Sequence, residues 1–239
     1  MINFRNEIRG VMSVPRLGFS ANHKCLNILC ANTGITFYEA EGVYWGQVLT
    51  KALTDSLDQT PYILTCDYDA GFCIDDVVKL YKIMESRPDI GALAAFQMQR
   101  VLERAICGYK TEDTPEGFIP IEIMESDTFE VRYAHFGLTM FRSDLFKTLS
   151  KPWFNAYAGK EGDWGDDRID EDIHFWNNWR EAGNTVHIAN KVVIGHMELM
   201  MVFPDQMMNK IYMQPKDYFE IGVPANAWPI KTEVITDES

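Results

Sequence analysis

The stretch YILTCDYDAGF at residues 62–72 decides how this chain is read. Its opening, Tyr62 to Cys66, is a largely apolar run of strand type, and two carboxylates follow one residue apart, Asp67 and Asp69. In an extended backbone, residues i and i+2 point the same way, so both acids are expected to aim at one spot. Two anions that converge repel each other unless a cation, a proton or a hydrogen-bond donor lies between them. A solvated turn after a strand would use the same residue types with no ligand at all. A calcium loop of the EF-hand kind does not fit, because Phe72 stands where that loop needs its sixth-position glycine.

Around this stretch, strand and helix signals alternate. GVMSV (10–14) reads as a strand ended by Pro15, and residues 22–33 read as a helix stopped by Gly34. ITFYEA (35–40) reads as a second strand. From Trp45 to Asp58, Val48, Leu49, Ala52, Leu53 and Leu57 share one helical face. After the 62–66 strand come a helix at about 75–86 and a strand at 90–97. This order predicts an α/β fold with a mostly parallel, doubly wound sheet and a ligand at the carboxyl ends of its strands, where Asp67 and Asp69 lie. The second half is less regular. Residues 118–142 suggest hairpin-like strands ending in GLTMFR, and a short helix follows with Ser143 as its N-cap. GKEGDWGDDRI (159–169) reads as a glycine-rich acidic loop around Trp164, equally suited to a disordered segment and to a lid that excludes water from a reacting donor. A helix at about 170–182 stops at Gly183, and strands follow near 185–188 and 192–195. No linker marks off a second domain, and TDES at the end is expected to fray.

With 239 residues, 46% of them hydrophobic, the chain suits one large α/β domain. A net charge of −13 with scattered basic residues disfavours broad contact with nucleic acid or an anionic membrane. The five cysteines show no CxxC spacing, which reads as free thiols in a reducing compartment. With no signal peptide and no run of membrane-span length, the expectation is a soluble cytoplasmic protein.

Two further stretches carry chemistry. DEDIHFWNNWREAGNTVHI (170–188) opens a helix with Asp170, Glu171 and Asp172. Acids there are favoured by the helix dipole and could be purely structural, or one could face a pocket as a general base. In VVIGHMEL (192–199), His196 follows an apolar strand at the same sheet edge as the paired acids. A histidine so placed is more often an ordinary satisfied residue than a ligand, and His23, His135, His174 and His187 are read that way outright.

In order and spacing these stretches resemble the GT-A glycosyltransferases, in particular the inverting, family-2-like enzymes with an Asp-x-Asp motif. The matching residues are Cys66-Asp67-Tyr68-Asp69, then Glu171-Asp172-Ile173-His174-Phe175 with Ala182-Gly183 and a strand, then His196. KPWFNAY (151–157) also looks like the family's acceptor-side segment. Two departures stand beside the match: SVPRLGFSAN replaces the usual first-strand form, and YEAEGVYWG lacks the usual Asp-Asp-Gly ending.

The resemblance implies one GT-A domain over 1–239: a Rossmann-like sheet flanked by helices, with a smaller antiparallel acceptor-side part. About 1–97 would bind the nucleotide-sugar, about 98–200 the acceptor, and 201–239 would form a C-terminal extension. It implies Mn2+ or Mg2+ held by Asp67, Asp69 and His196, and Asp172 as the base that takes the proton of an acceptor hydroxyl. Imidazole among the ligands suits Mn2+ better than Mg2+. Pro15, Glu39, Lys51, Asp67, Tyr68, Asp69 and Trp164 would contact the donor, which the family makes UDP-linked. The acceptor could be a saccharide, a lipid-linked sugar, a protein or a modified nucleobase. A nucleotidyltransferase acting on a sugar phosphate, and a catalytically silent binding protein of the same fold, are the competing readings.

Overall fold

The computed structural model describes residues 2–15, 17–100, 105–109, 125–165 and 167–228. The expectations made for 118–124, for Asp166 and for the TDES end lie outside the described residues. The backbone divides into two compact units, Met1–Met197 and Glu198–Ser239, where the sequence reading had one domain with an extension from 201.

The first unit begins with β1 (Ile8–Val14), α1 (Ser20–Thr33), β2 (Thr36–Glu41), α2 (Trp45–Ser56), β3 (Tyr62–Asp67), β4 (Ala70–Gly71), α3 (Ile74–Ser86) and β5 (Ala92–Phe96). This is the alternation the apolar periodicity predicts, with ends displaced by one or two residues. Gly34 ends α1 at φ 72°, a left-handed conformation that an L side chain adopts at a cost. The unit continues with β6 (Cys107–Tyr109), β7 (Thr128–Ala134), β8 (Leu138–Arg142), a 3-10 helix (Ser143–Thr148), α4 (Glu171–Glu181), β9 (Val186–Val193) and β10 (Gly195–His196).

Among the described residues the main sheet has eight strands in the order β2-β1-β3-β8-β5-β9-β7-β6. β1 pairs in parallel with β2 and β3, and β5 with β9, whereas β8 runs antiparallel between β3 and β5 and β7 runs antiparallel to β9. Successive strand residues face opposite sides, so Val11 and Ile63 pack toward α2 while Ile8, Met12 and Leu64 pack toward α1 and α3. On the first side lies an aromatic cluster of Phe136, Phe141, Phe146, Phe154, Phe175, Trp176 and Trp179. Two of its buried indoles are satisfied, Trp176 donating to the Ala134 carbonyl and Trp179 to that of Thr185, whereas the Nε1 of Trp153, packed on Phe146, has no partner among the described residues.

Three expectations are corrected here. β7 and β8 are adjacent in sequence but form no hairpin, because β8 inserts into the middle of the sheet while β7 joins its far side. Ser143 does not cap the helix it opens; its hydroxyl donates to the Thr60 carbonyl at 2.6 Å. The strands expected near 185–188 and 192–195 are one strand, β9, followed by the two-residue β10.

The second unit holds a hairpin of β11 (Met201–Pro204) and β12 (Lys210–Met213), followed by α5 (Pro215–Ile221). No helix among the described residues is long and apolar enough to cross a membrane.

Candidate active site

A cleft of about 490 Å³ opens where the strand ends and the start of α4 meet, and the paired acids lie in it. β3 ends at Asp67, and Tyr68 and Asp69 form a turn before the short β4. The convergence of the two acids therefore comes from a turn and not from strand pleating. Asn22, fully buried on α1, pins that turn: its Nδ2 donates to the Asp67 carbonyl at 2.9 Å and to the Ala70 carbonyl at 2.8 Å.

His196 reaches the same place because β10 pairs antiparallel with β4, His196 opposite Ala70. Its Nδ1 contacts the Met98 carbonyl at 3.0 Å, which requires a proton on Nδ1 and turns Nε2 toward Asp69 Oδ2, 3.3 Å away. That contact raises the imidazole's pKa. Arg100 Nη1 lies 2.9 Å from the same Asp69 oxygen. Asp69 is buried. Burial pushes the Asp67 carboxyl up to about 7, with repulsion from Asp69 adding to it, while the His196 charge and a hydrogen bond from the Trp45 indole oppose the rise. Asp172 lies near enough to add its own repulsion.

The acids at the start of α4 divide their work. Asp170 is paired with Arg168 at 2.8 Å. Glu171 Oε2 accepts from the Gly46 N–H at 2.8 Å and so caps α2, not its own helix. Asp172 Oδ1 accepts from the next backbone N–H, that of Ile173, at 2.9 Å, and burial raises its pKa. All three line the cleft.

Of the positions singled out in the sequence, Asp67, Tyr68, Asp69, Asp172 and His196 come together in this cleft. Glu39 and Lys51 line a separate hollow between β2 and α2, together with Tyr38 and Gln47. Pro15 lines neither. Trp164 is 62% exposed on a loop whose base is closed by the Tyr157–Ile169 bridge. Sequence reasoning missed Arg100, which belongs to no motif, and gave His135 no part in the site. His135 lines the cleft, buried and held neutral, with burial lowering its pKa to about 4.

Among the described residues, five carboxyl side chains (Asp67, Asp69, Asp170, Glu171, Asp172) thus line the cleft, with the guanidinium of Arg100 and the imidazole of His196. Among the described residues, no three His, Cys, Asp or Glu side chains are gathered as a metal cluster. The donor set nonetheless fits a divalent cation. A buried carboxylate and an oriented imidazole share one point, and a second carboxyl in the same cleft is raised by burial and by its repulsion from the first.

No protein-family profile matches the chain, and no curated protein matches it by sequence. Solved structures do match by fold. A197 from STIV has a TM-score of 0.58 at 14% identity, covering 86% of this chain and 94% of that one. GalNAc-T7, solved with UDP, GalNAc and Mn2+, has a TM-score of 0.56 at 8% identity, over 80% of this chain. This chain covers only 44% of the GalNAc-T7 chain. The fold expected from the three motifs is the fold found, and the chain is a GT-A protein in architecture.

Proposed function

We propose that the protein is a metal-dependent, inverting glycosyltransferase that moves a sugar from a nucleotide-sugar, UDP-linked as the resemblance implies, to an acceptor hydroxyl. The observation that supports this best is the charge of the cleft. Among the described residues the cleft is lined by five carboxyl groups, and a diphosphate enters it with less repulsion when a cation stands between them. Asp69, His196 and Asp67 are the residues that would hold Mn2+, or Mg2+, there. When bound, the ion would offset the carboxylate repulsion and stabilise charge on the departing nucleoside diphosphate.

The chain's own residues supply the rest. Asp172, its pKa raised by burial, would accept the proton of an acceptor hydroxyl as that oxygen attacks the anomeric carbon. One displacement from the face opposite the leaving group inverts the configuration. Trp45, packed at 5.2 Å on Phe136 and 5.1 Å on Phe154, would wall the cleft against water. Tyr68 would border the donor in the same cleft. Glu39 and Lys51, in their hollow beside β2, are proposed to meet the nucleoside, with Pro15 at the end of β1 and Trp164 from its loop. A saccharide, a lipid-linked sugar, a protein side chain or a nucleobase could present the hydroxyl.

The test is a screen of nucleotide-sugars for turnover with Mn2+ and in excess chelator. Release of nucleoside diphosphate that stops with chelator and returns with Mn2+ is the expected result. Full turnover in chelator would remove the metal from the mechanism, and release of pyrophosphate would identify a nucleotidyltransferase instead. NMR of donor and product reads the anomeric configuration, and retention would eliminate Asp172 as base in a single displacement.

A further inference from the structure

Asp69 Oδ2 has two nitrogen neighbours, His196 Nε2 at 3.3 Å and the guanidinium Nη1 of Arg100 at 2.9 Å. The Asp69 side chain is 6% exposed and that of Arg100 is 40% exposed, so a long, half-solvated side chain reaches down onto a buried carboxylate. Arg100 lies just beyond β5, on the segment whose Met98 carbonyl also anchors His196 and whose Met98 pairs with Ala105. One segment therefore orients the imidazole and supplies the guanidinium.

We propose that Arg100 occupies Asp69 as a resident counter-ion in the metal-free protein, and that an incoming divalent ion displaces it onto the donor's diphosphate. This rests on the metal-dependent reading above. The reason is one of shared atoms. A divalent ion needs the lone pairs of Asp69 Oδ2, which the guanidinium now takes, and two cations cannot share that oxygen without repulsion. Arginine carries its charge at any working pH, so it cannot leave by deprotonation and must move. Its planar fork pairs with phosphate as well as with carboxylate, and Arg100 already lines the cleft that the diphosphate would enter. Neither partner alone then gains the full exchange: metal without donor must leave the guanidinium stranded, and donor without metal must compete with Asp69 for it. Metal and donor should bind with positive coupling, and that coupling is reciprocal.

The experiment is calorimetric titration of the whole protein with MnCl2 alone, with UDP alone, and with each in the presence of the other, for wild type, Arg100→Gln and Arg100→Lys. In wild type each ligand should tighten the other's binding about tenfold or more. In Arg100→Gln, Mn2+ alone should bind about fivefold tighter, UDP with Mn2+ should bind more weakly, and the coupling should shrink to the part that metal and diphosphate share directly. Arg100→Lys keeps a movable charge and should fall between. Urea unfolding of each variant confirms that it is folded, and Arg100→Lys carries the test if the glutamine variant is not. Equal Mn2+ affinity in wild type and Arg100→Gln would overturn the competition while leaving the proposed function standing. Unchanged UDP affinity in Arg100→Gln would overturn the transfer to phosphate. Absence of Mn2+ binding in every variant, with or without UDP, would remove the metal reading itself and this inference with it.

Discussion

The backbone N–H of Gly46 donates to Glu171 Oε2 at 2.8 Å across 125 residues of sequence, which fastens the start of α2 to the start of α4. The neighbouring residue, Trp45, hydrogen-bonds Asp67, and the one after Glu171 is Asp172. The bond thus fixes two walls of the cleft at once. A Cβ at Gly46 would lie 2.7 Å from Phe154 Cβ and 2.8 Å from Glu171 Oε2, and the Phe154 atom cannot turn away. Gly46→Ala should therefore destabilise the protein by about 1–3 kcal/mol, although alanine has the better helix propensity. Glu171→Ala, which strips the cap from α2, should cost about 1 kcal/mol. Urea unfolding checks both, and an alanine at 46 that is neutral or stabilising would contradict the packing described.

Asp172 gives a second expectation. A base works only when deprotonated, and burial raises the pKa of this carboxyl. The acid limb of kcat should accordingly lie above the ordinary aspartate value of about 3.9, with activity increasing as pH rises through it. Asp172→Asn should lower kcat by at least about 10²-fold, within the usual range for a lost general base. UDP affinity in the presence of Mn2+ should not change. Steady-state kinetics and UDP titration separate the two effects, and a variant that lost binding in proportion to rate would point to a ligand instead of a base.

His135 contributes to stability in a pH-dependent way. Its Nε2 faces the Ala95 carbonyl at 2.7 Å and its Nδ1 accepts from the Gly137 N–H at 2.9 Å, so the neutral ring uses both nitrogens. Burial lowers its pKa from 6.5 to about 4. Between those values the unfolded chain takes up a proton that the folded one refuses, so stability falls as pH falls through that window. The full loss is on the order of 3 kcal/mol. His135→Gln should flatten this part of the curve while lowering stability near pH 7. Urea unfolding at pH 7.5 and pH 5 measures the difference, and equal slopes in both proteins would refute it.

Much of this was legible in the residues, and the gaps have physical causes. Periodicity alone places α2 and α3, because Val48, Leu49, Leu53, Val77, Leu80 and Met84 are buried on the faces it marks. The turn stops at Gly34 and Gly183 follow from backbone sterics, with φ 72° and 82°. The insertion of β8 between β3 and β5 was not read, since nearness to β7 suggested a hairpin. The signal was present: Leu138, Thr139, Met140 and Phe141 are all fully buried, the run of a strand covered on both faces. Arg100 left no signal, because a lone arginine after a strand acquires meaning only from the carboxylate the fold brings to it. Glu171 was visible as an acid at a helix start, but its partner 125 residues away was not.

Asn22 joins fold to site, and its substitution tests that join. The residue is fully buried, its Nδ2 serves two carbonyls of the Asp67–Ala70 turn, and among the described residues its Oδ1 finds no partner. The side chain is therefore retained for its donor. Asn22→Ala takes the amide donor from both carbonyls, leaving that of Asp67 the weak Cys66 thiol contact at 3.4 Å, and should cost about 1–3 kcal/mol. Asn22→Asp is worse at pH 7, where a carboxylate would face those two carbonyls with nothing to give. Protonating it restores one donor, so the aspartate variant should recover part of the deficit as pH falls, opposite in direction to the His135 effect. Because the turn holds Asp67 and Asp69 in place, both variants should also weaken Mn2+ binding in calorimetry, even at temperatures where they remain folded. Stability lost with metal affinity intact would show that the turn keeps its shape without Asn22, and that the two acids are held by the sheet instead.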